Sequence, residues 1–526
     1  MKPFATAVTG VLIAVTATAI AVRNNTADND EYIVMASSSA HAAETVIDAG
    51  ANVSKSIPVV KGVVASLTAA QVQELKYDPA IKVFKNSSVE LATDSGLVPL
   101  SPPSSDAIVA QQTGAHSLHD LGFYGDGVTV AVLDTGIKGM YPLNKDTLGS
   151  DRVHGSYITN KATFSKSLGE KNGHGTHISS IIANSSQDSN NQYFGIAPNV
   201  NLLSIKAFDD NGGGNYLNVI DGIQWAINNK DQYNIRVLNM SFSAPAQSLY
   251  WDDPVNIAVM KAWEAGIVVV ASAGNRGATR GAIGVPGNVP HIITVGAATD
   301  SYTVSDNSDD TVANFSSIGP TAEGFAKPEV VAYGGHVIGL MQKSAAIAQK
   351  YPEFHVDDNY FTMSGTSQAA AVVSGVAALM LQNNPALTPD EVKCRLINSA
   401  NPFMDGDNAS VSVFQQGAGL VDAYDAVLDT SLACSNSTMD IAADANGDTH
   451  YVGPVFDEVV ANEYEALDSS GNLWRDGNLW RDGNLWRDGN LWRDSFIASD
   501  VDTLNDETTE LSTASHIRIN HWVTQE

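Results

Sequence analysis

Cysteine is scarce in this chain. Cys394 and Cys434 are the two it has, too few for a disulfide-built scaffold or a four-cysteine zinc site. One bridge between them would close a loop of about forty residues and add roughly 4 kcal/mol by restricting the unfolded chain. Two unpaired thiols are the alternative. Positive charge is scarce too, with 29 Lys and Arg against 58 Asp and Glu, a net charge of −29. So acidic a surface repels phosphate backbones, which excludes nucleic acid as a partner. Repeated apolar runs of about twenty residues are missing, which excludes a polytopic membrane protein. With 44% hydrophobic and 17% charged residues, the chain is not mainly disordered and can build a large core.

One apolar stretch does stand at the N-terminus. Lys2 is followed by small and apolar residues from Ala5 to Val22, including Ala17-Thr18-Ala19 and Ala19-Ile20-Ala21. This predicts a cleaved secretory signal over 1–22 and a secreted product with no membrane contact after cleavage. The rival is an uncleaved anchor, since the stretch nearly reaches spanning length. Its richness in Ala and Thr rather than Leu favours cleavage.

Residues 31–93 read as a small α+β unit. Glu31-Tyr32-Ile33-Val34-Met35 and 59–67 are strand-like, and Thr68 caps a helix with Val72 and Leu75 on one face. Residues 94–105, rich in Pro and Ser, read as a linker. Over 106–430 the texture changes. Apolar runs at 128–134, 200–208, 235–242, 266–274 and 291–298 alternate with helical stretches. One helix, over 216–229, carries Val219, Ile220, Ile223, Ala226 and Ile227 on one side; another starts at Ser367 and runs towards Leu381. Buried-type strands with helices between them predict a doubly wound, mostly parallel α/β sheet covered on both faces.

Residues 431–526 form an acidic extension, with 18 acidic against 5 basic side chains. Gly-Asn-Leu-Trp-Arg-Asp repeats four times over 471–494. An even period would put Trp474, Trp480, Trp486 and Trp492 on one face of a strand, whereas a helix would scatter them. Gly-Asn in each unit favours a bend per repeat. A stacked turn–strand unit, an adhesive tail and sequence drift without a role all remain open.

Three polar spots fall where open α/β sheets place their ligands. Asp134-Thr135-Gly136 ends the apolar run 128–134, and a carboxylate there is partly desolvated and needs a partner. Taken alone it reads more readily as a turn former than as a catalyst. Asn172-Gly173-His174-Gly175-Thr176-His177 precedes a helix, with glycines on both sides of His174. Two histidines three apart, with no Glu between them, do not have the HExxH metal geometry. Met363-Ser364-Gly365-Thr366-Ser367-Gln368 sets a serine at a helix start, where amides favour a developing oxyanion. The plain alternative is an N-cap serine.

Together, an Asp, a His and a Ser in that chain order restate the nucleophile, base and orienter of a hydrolase. At this point the chain resembles the subtilisin-like (subtilase) serine proteases. Leu133-Asp134-Thr135-Gly136-Ile137, Gly173-His174-Gly175-Thr176-His177-Ile178 and Ser364-Gly365-Thr366-Ser367-Gln368-Ala369-Ala370-Ala371 match that family's three catalytic signatures. Ser272-Ala273-Gly274-Asn275 resembles the segment with its oxyanion asparagine. The resemblance covers about 106–430, and 31–93 is similar to the inhibitory propeptide preceding such enzymes. It implies Ser367 as nucleophile, His174 as general base, Asp134 as its orienter and Asn275 as an oxyanion donor. It also implies S1 walls at Ser241, Phe242, Ser243, Ser272, Ala273 and Gly274, and a substrate-pairing edge at Gly213 and Gly214. The expected product is a secreted, self-processing endopeptidase acting on polypeptides, a monomer inhibited by its own propeptide. No cofactor is required for the chemistry.

Departures from the family pattern matter. Gln368 stands where a methionine is common, and Ser243 replaces a usual glycine, which narrows the pocket. Tyr141-Pro142-Leu143-Asn144 lacks the Asp of a strong calcium site; 184–193, with Asp188, reads either as offering oxygens to a structural calcium ion or as a plain surface loop. Arg276, next to Asn275, is expected on the S1 rim, where it disfavours Lys or Arg at P1 and leaves medium apolar residues as the best substrates. A catalytically dead binding protein and an esterase are the competing readings.

Overall fold

The apolar runs become strands buried from end to end, and these build the body of the protein. The computed structural model describes residues 30–89, then 109–451 except 247, 280, 305, 404–410, 432–435 and 437–438, and finally 518–519. The expected signal at 1–22, linker at 94–105 and repeat at 471–494 lie outside the described residues.

The N-terminal unit has β1 (Asp30–Met35), α1 (Ser39–Asp48), β2 (Val53–Ile57), β3 (Gly62–Leu67), α2 (Ala69–Lys76) and β4 (Lys82–Lys85). Its sheet is antiparallel in the order β2-β3-β1-β4. Thr68 caps α2 in a capping box with Gln71, while Val72 and Leu75 turn inward. Strand alternation then divides the apolar residues. Val34, Val63 and Ala65 pack under α1 and α2 with Val46 and Leu75, whereas Ile33, Met35 and Val64 join the main core. Each such aliphatic side chain, fully buried, stabilises by about 1.5–3 kcal/mol relative to exposure, so this contact is no loose tether.

The body's central sheet comprises β6 (Thr129–Asp134), β7 (Val153–Ile158), β8 (Thr163–Ser165), β9 (Asn201–Lys206), β11 (Ile235–Met240), β13 (Val268–Ser272), β14 (Ile293–Thr299), β15 (Thr311–Val312) and β16 (Val330–Tyr333). Two short edge strands, β10 (Gly214–Asn215) and β12 (Phe242–Ser243), stand apart from it, and β5 (Ser88–Val89) belongs to the N-terminal segment. The order is β15-β14-β13-β11-β6-β9-β7-β8, with β16 also beside β14. All pairings are parallel except those of β8 and β15. Helices α3 (His174–Ala183) and α6 (Thr366–Asn383) pack together against one face; α4 (Tyr216–Tyr233) and α5 (Pro254–Glu264) cover the other. The fold is thus doubly wound α/β. Its switch point is β6, flanked by β9 and β11, and Asp134 is the last residue of that strand.

The structure differs from expectation in two places. β7, β8 and the hairpin of β17 (Val337–Leu340) with β18 (Tyr360–Met363) come from stretches without long apolar runs. The packed body also runs past Thr430: α7 (Ile441–Asn446) lies on α5, with Ala445 in the core and Asp444 buried. Acidic composition hid this packing, because Asp444 is buried as a multiply hydrogen-bonded anion. Cys394 is disulfide-bonded; Cys434 lies outside the described residues.

Candidate active site

The site is assembled by local chain geometry at three element ends. Asp134, 1% exposed, ends β6 with its side chain accepting from the Thr135 amide at 2.7 Å. Gly173 precedes α3 at φ +110°, a conformation that suits glycine, and His174 is the first helical residue. Gly175 has to be glycine for a second reason: a Cβ there would lie 2.2 Å from the Gly136 carbonyl and 3.1 Å from Asp134 Oδ1. That close approach brings His174 Nδ1 to 2.8 and 2.9 Å from the two Asp134 oxygens. His174 Nε2 is buried and makes no hydrogen bond among the described residues. With Nδ1–H given to the carboxylate, Nε2 is the basic nitrogen.

Glu170, which the sequence did not flag, binds the two pieces together. Its carboxylate accepts from Thr135 Oγ1 at 3.0 Å, from Thr176 Oγ1 at 2.7 Å and from the Gly173 amide. Burial pushes its pKa up, against the pull of those hydrogen bonds. No spacing rule marks a Glu four residues before the histidine, so its role is visible only in three dimensions.

Ser367 is the second residue of α6 and fully buried. Its amide is among the first four of the helix, which have no intrahelical acceptor. Its Oγ donates to the Ser241 carbonyl at 3.0 Å, and Ser241 Oγ donates to the Ser367 carbonyl at 3.1 Å. The structure therefore brings Asp134 and His174 into contact but makes no Ser367–His174 hydrogen bond. Catalytic hydrogen bonds are often loose before substrate arrives. Asn275 is held by Thr366, whose amide and Oγ1 donate to Asn275 Oδ1 at 2.9 and 2.8 Å. That fixes the amide so that its NH2 limb turns away from Thr366. Thr366 Oγ1 also accepts from the Gly274 amide at 3.1 Å, tying the 272–275 turn to the helix start. Gln368, beside the nucleophile, is buried with neither amide atom bonded among the described residues.

The two edge strands are occupied by the chain itself. β10 pairs antiparallel with β5, Gly214 opposite Val89 and Asn215 opposite Ser88. β12 pairs antiparallel with β19 (Arg518–Ile519), Phe242 opposite Ile519 and Ser243 opposite Arg518. Gly213 donates its amide to Asp209 Oδ1 at 2.8 Å, which shapes the turn before β10. Ser272 Oγ donates to the Phe242 carbonyl at 3.1 Å, joining the two segments expected to wall the pocket.

Residues 125–419 match the sequence profile of the subtilase family. The chain belongs to that family. This subtilase is 42% identical over 309 residues to the serine protease AprX of Bacillus subtilis, a match covering 58% of this chain and 66% of that relative. It is 33% identical over 303 residues to subtilisin DY of Bacillus licheniformis, covering 57% of this chain and 90% of the relative. Subtilisin E of Bacillus subtilis is 30% identical over 370 residues, 69% and 82% of the two chains. Catalysis in this family needs no cofactor. Among the described residues of this subtilase, no three His, Cys, Asp or Glu side chains group as metal ligands would. His177 Nε2 contacts the Phe361 carbonyl at 3.0 Å, and Asp188 Oδ1 accepts from the amides of Asn190 and Gln192 at 2.8 Å. No helix among the described residues is long and apolar enough to cross a membrane.

Proposed function

We propose that this subtilase is a secreted, monomeric serine endopeptidase made as a self-processing zymogen, with Asp134, His174 and Ser367 as its triad. The observation that carries the reading is the doubly contacted His174 Nδ1, which leaves the buried, unbonded Nε2 as the base. In the reaction, Ser367 Oγ turns from Ser241 and attacks the peptide carbonyl while its proton passes to His174 Nε2. Asp134 stabilises the imidazolium. Asn275 Nδ2 and the Ser367 amide donate to the oxyanion, a device worth about 2.7–4 kcal/mol per donor. His174 then protonates the leaving amine, and the acyl-enzyme is released by water with the same base.

The N-terminal unit supports the zymogen reading. It buries Ile33, Ile57 and Val60 in the main core, pairs Lys55 with Asp221 and Lys82 with Asp252, and lays β5 on β10 as a substrate strand would lie. Gly213 and Gly214 then serve as one substrate edge and Ser241, Phe242 and Ser243 as the other. Ser367→Ala should abolish peptide hydrolysis and labelling by a serine-directed phosphonate, and should accumulate with the N-terminal unit attached. Labelling that persists in this variant overturns the nucleophile; normal trimming in a protease-free host overturns self-processing.

A further inference from the structure

The main-chain groups of 241–244 face two sides in turn, as those of an extended segment must. Ala244 gives its amide to the Val285 carbonyl and takes the Val285 amide on its own carbonyl, both at 2.8 Å. The Phe242 carbonyl, on the same side, accepts from Ser272 Oγ at 3.1 Å. Ser241 and Ser243 therefore turn their main-chain groups the other way. On that side the Ser241 carbonyl meets Ser367 Oγ at 3.0 Å, so this is the side of the nucleophile. It is also where β19 lies antiparallel to β12, with Ser243 opposite Arg518 and Phe242 opposite Ile519. By the same alternation Ser243 and Arg518 are the hydrogen-bonded pair, and Phe242 and Ile519 the unbonded one. A substrate lying along 241–243 needs the same Ser243 amide and carbonyl, because an added strand is held by its main chain. The N-terminal unit holds a different edge: among the described residues β5 pairs with β10 and not with β12.

We propose that the chain's own C-terminal segment at Arg518–Ile519 is a second inhibitory strand, which competes with substrate for β12 and stays in place when the N-terminal unit is cut away. The inference rests on the peptidase reading and adds to it how the site is regulated. The two inhibitory strands guard different edges and enter from opposite ends of the chain. A cut behind β5 frees β10 and leaves β12 held, because residues 452–517 still join β19 to the body. The first cut thus opens one edge of the cleft, and substrate must displace β19 from the other. Competition of this kind raises KM and leaves kcat alone, since substrate that has displaced the strand reacts as before.

The test is steady-state hydrolysis, by the processed chain, of a peptide long enough to lie along 241–243, with the C-terminus of the enzyme checked by intact mass. Arg518→Pro removes the amide that Arg518 gives to Ser243. One main-chain hydrogen bond is a modest net gain, so KM should fall by about threefold or more. kcat should stay within about twofold, and Tm should not move. Ile519→Pro is the control, since the Ile519 amide points away from β12, and its KM should stay near that of the unaltered chain. A synthetic peptide of residues 514–524, added to the Arg518→Pro chain, should inhibit competitively. An unchanged KM in Arg518→Pro overturns the proposal, as do equal falls in the two proline variants, absent or non-competitive inhibition by the peptide, or an active chain whose mass already lacks 518–519. If none of the chains cleaves the substrate and the phosphonate does not label Ser367, the peptidase reading itself fails, a result distinct from an unchanged KM.

Discussion

Two of the buried aspartate–histidine contacts among the described residues are nearly equal in length but lie in quite different surroundings. Asp134 meets His174 at 2.8 Å in the cleft; Asp444 meets His291 at 2.9 Å where residues 441–451 close over the body. Asp134 serves one ring and the adjacent Thr135 amide. Asp444 takes His291, His450 Nδ1 at 3.1 Å and Tyr250 Oη at 2.6 Å, and Tyr250 in turn accepts from the Tyr451 amide at 3.0 Å. Burial alone would raise the Asp444 pKa, but hydrogen bonds from His291, Tyr250 and His450 outweigh it and hold the carboxyl below its usual range. Burial in turn lowers the pKa of His291. One pair has an imidazole nitrogen in reserve beside a serine-bearing helix. The other is locked into a network that fastens a chain segment. Its neighbours, and not the pair itself, decide whether such a contact does chemistry or holds the fold.

The sharpest way to break this comparison is to neutralise each aspartate in turn. Asp134→Asn should lower kcat by about 10⁴-fold, since the wrong tautomer is then held, with little change in Tm. Asp444→Asn should do the reverse, costing about 1–3 kcal/mol of stability for a damaged buried network with kcat kept within about twofold. Thermal melts and single-turnover rates on both variants decide the matter; loss of activity at unchanged Tm in Asp444→Asn would erase the distinction. A smaller effect is expected at Thr366. Thr366→Val removes one of the two donors that orient Asn275, so kcat should fall by about tenfold, less than for loss of Asn275 itself. An unchanged kcat would show that the backbone amide alone suffices.

The smallest effect sharpens the comparison through pH. Burial lowers the pKa of His177 to about 3 and that of His119 to about 4, and lowers that of His291 as well. Unfolded histidines titrate near 6.5, so the folded state binds fewer protons than the unfolded state below that value. The stability these groups contribute is therefore complete above about pH 6.5 and is lost as pH falls towards the folded values. Chemical denaturation of Ser367→Ala between pH 8 and 4 should show a decline beginning near 6.5. A flat profile from 7 to 5 would contradict it.

Much of the site could be read from the sequence because its constraints are local. Glycines must flank His174 for α3 to approach the Asp134 loop, and apolar runs must fill a sheet covered on both faces. The chain therefore signals Asp134, His174, Ser367 and Asn275 through their immediate neighbours. Glu170 and Thr366 are different, since each acts across a distance in sequence that no periodicity encodes. Likewise β7 and β8 lack continuous apolar runs, and 441–451 looked like acidic extension because burial by hydrogen bonding leaves no hydropathy signal.

Under the proposed zymogen reading, the pairing of β5 with β10 has a kinetic meaning. A strand joined covalently to the cleft it occupies faces that cleft at an effective concentration on the order of millimolar, whatever the concentration of the protein. Diluting an uncut chain would then not release its site. Once the connection is cut, the same strand becomes a separate solute whose occupancy falls as the surroundings grow larger. The peptide bond behind β5 would thus work as a volume sensor, keeping the enzyme quiet where it is made and crowded and freeing it where there is space to diffuse away.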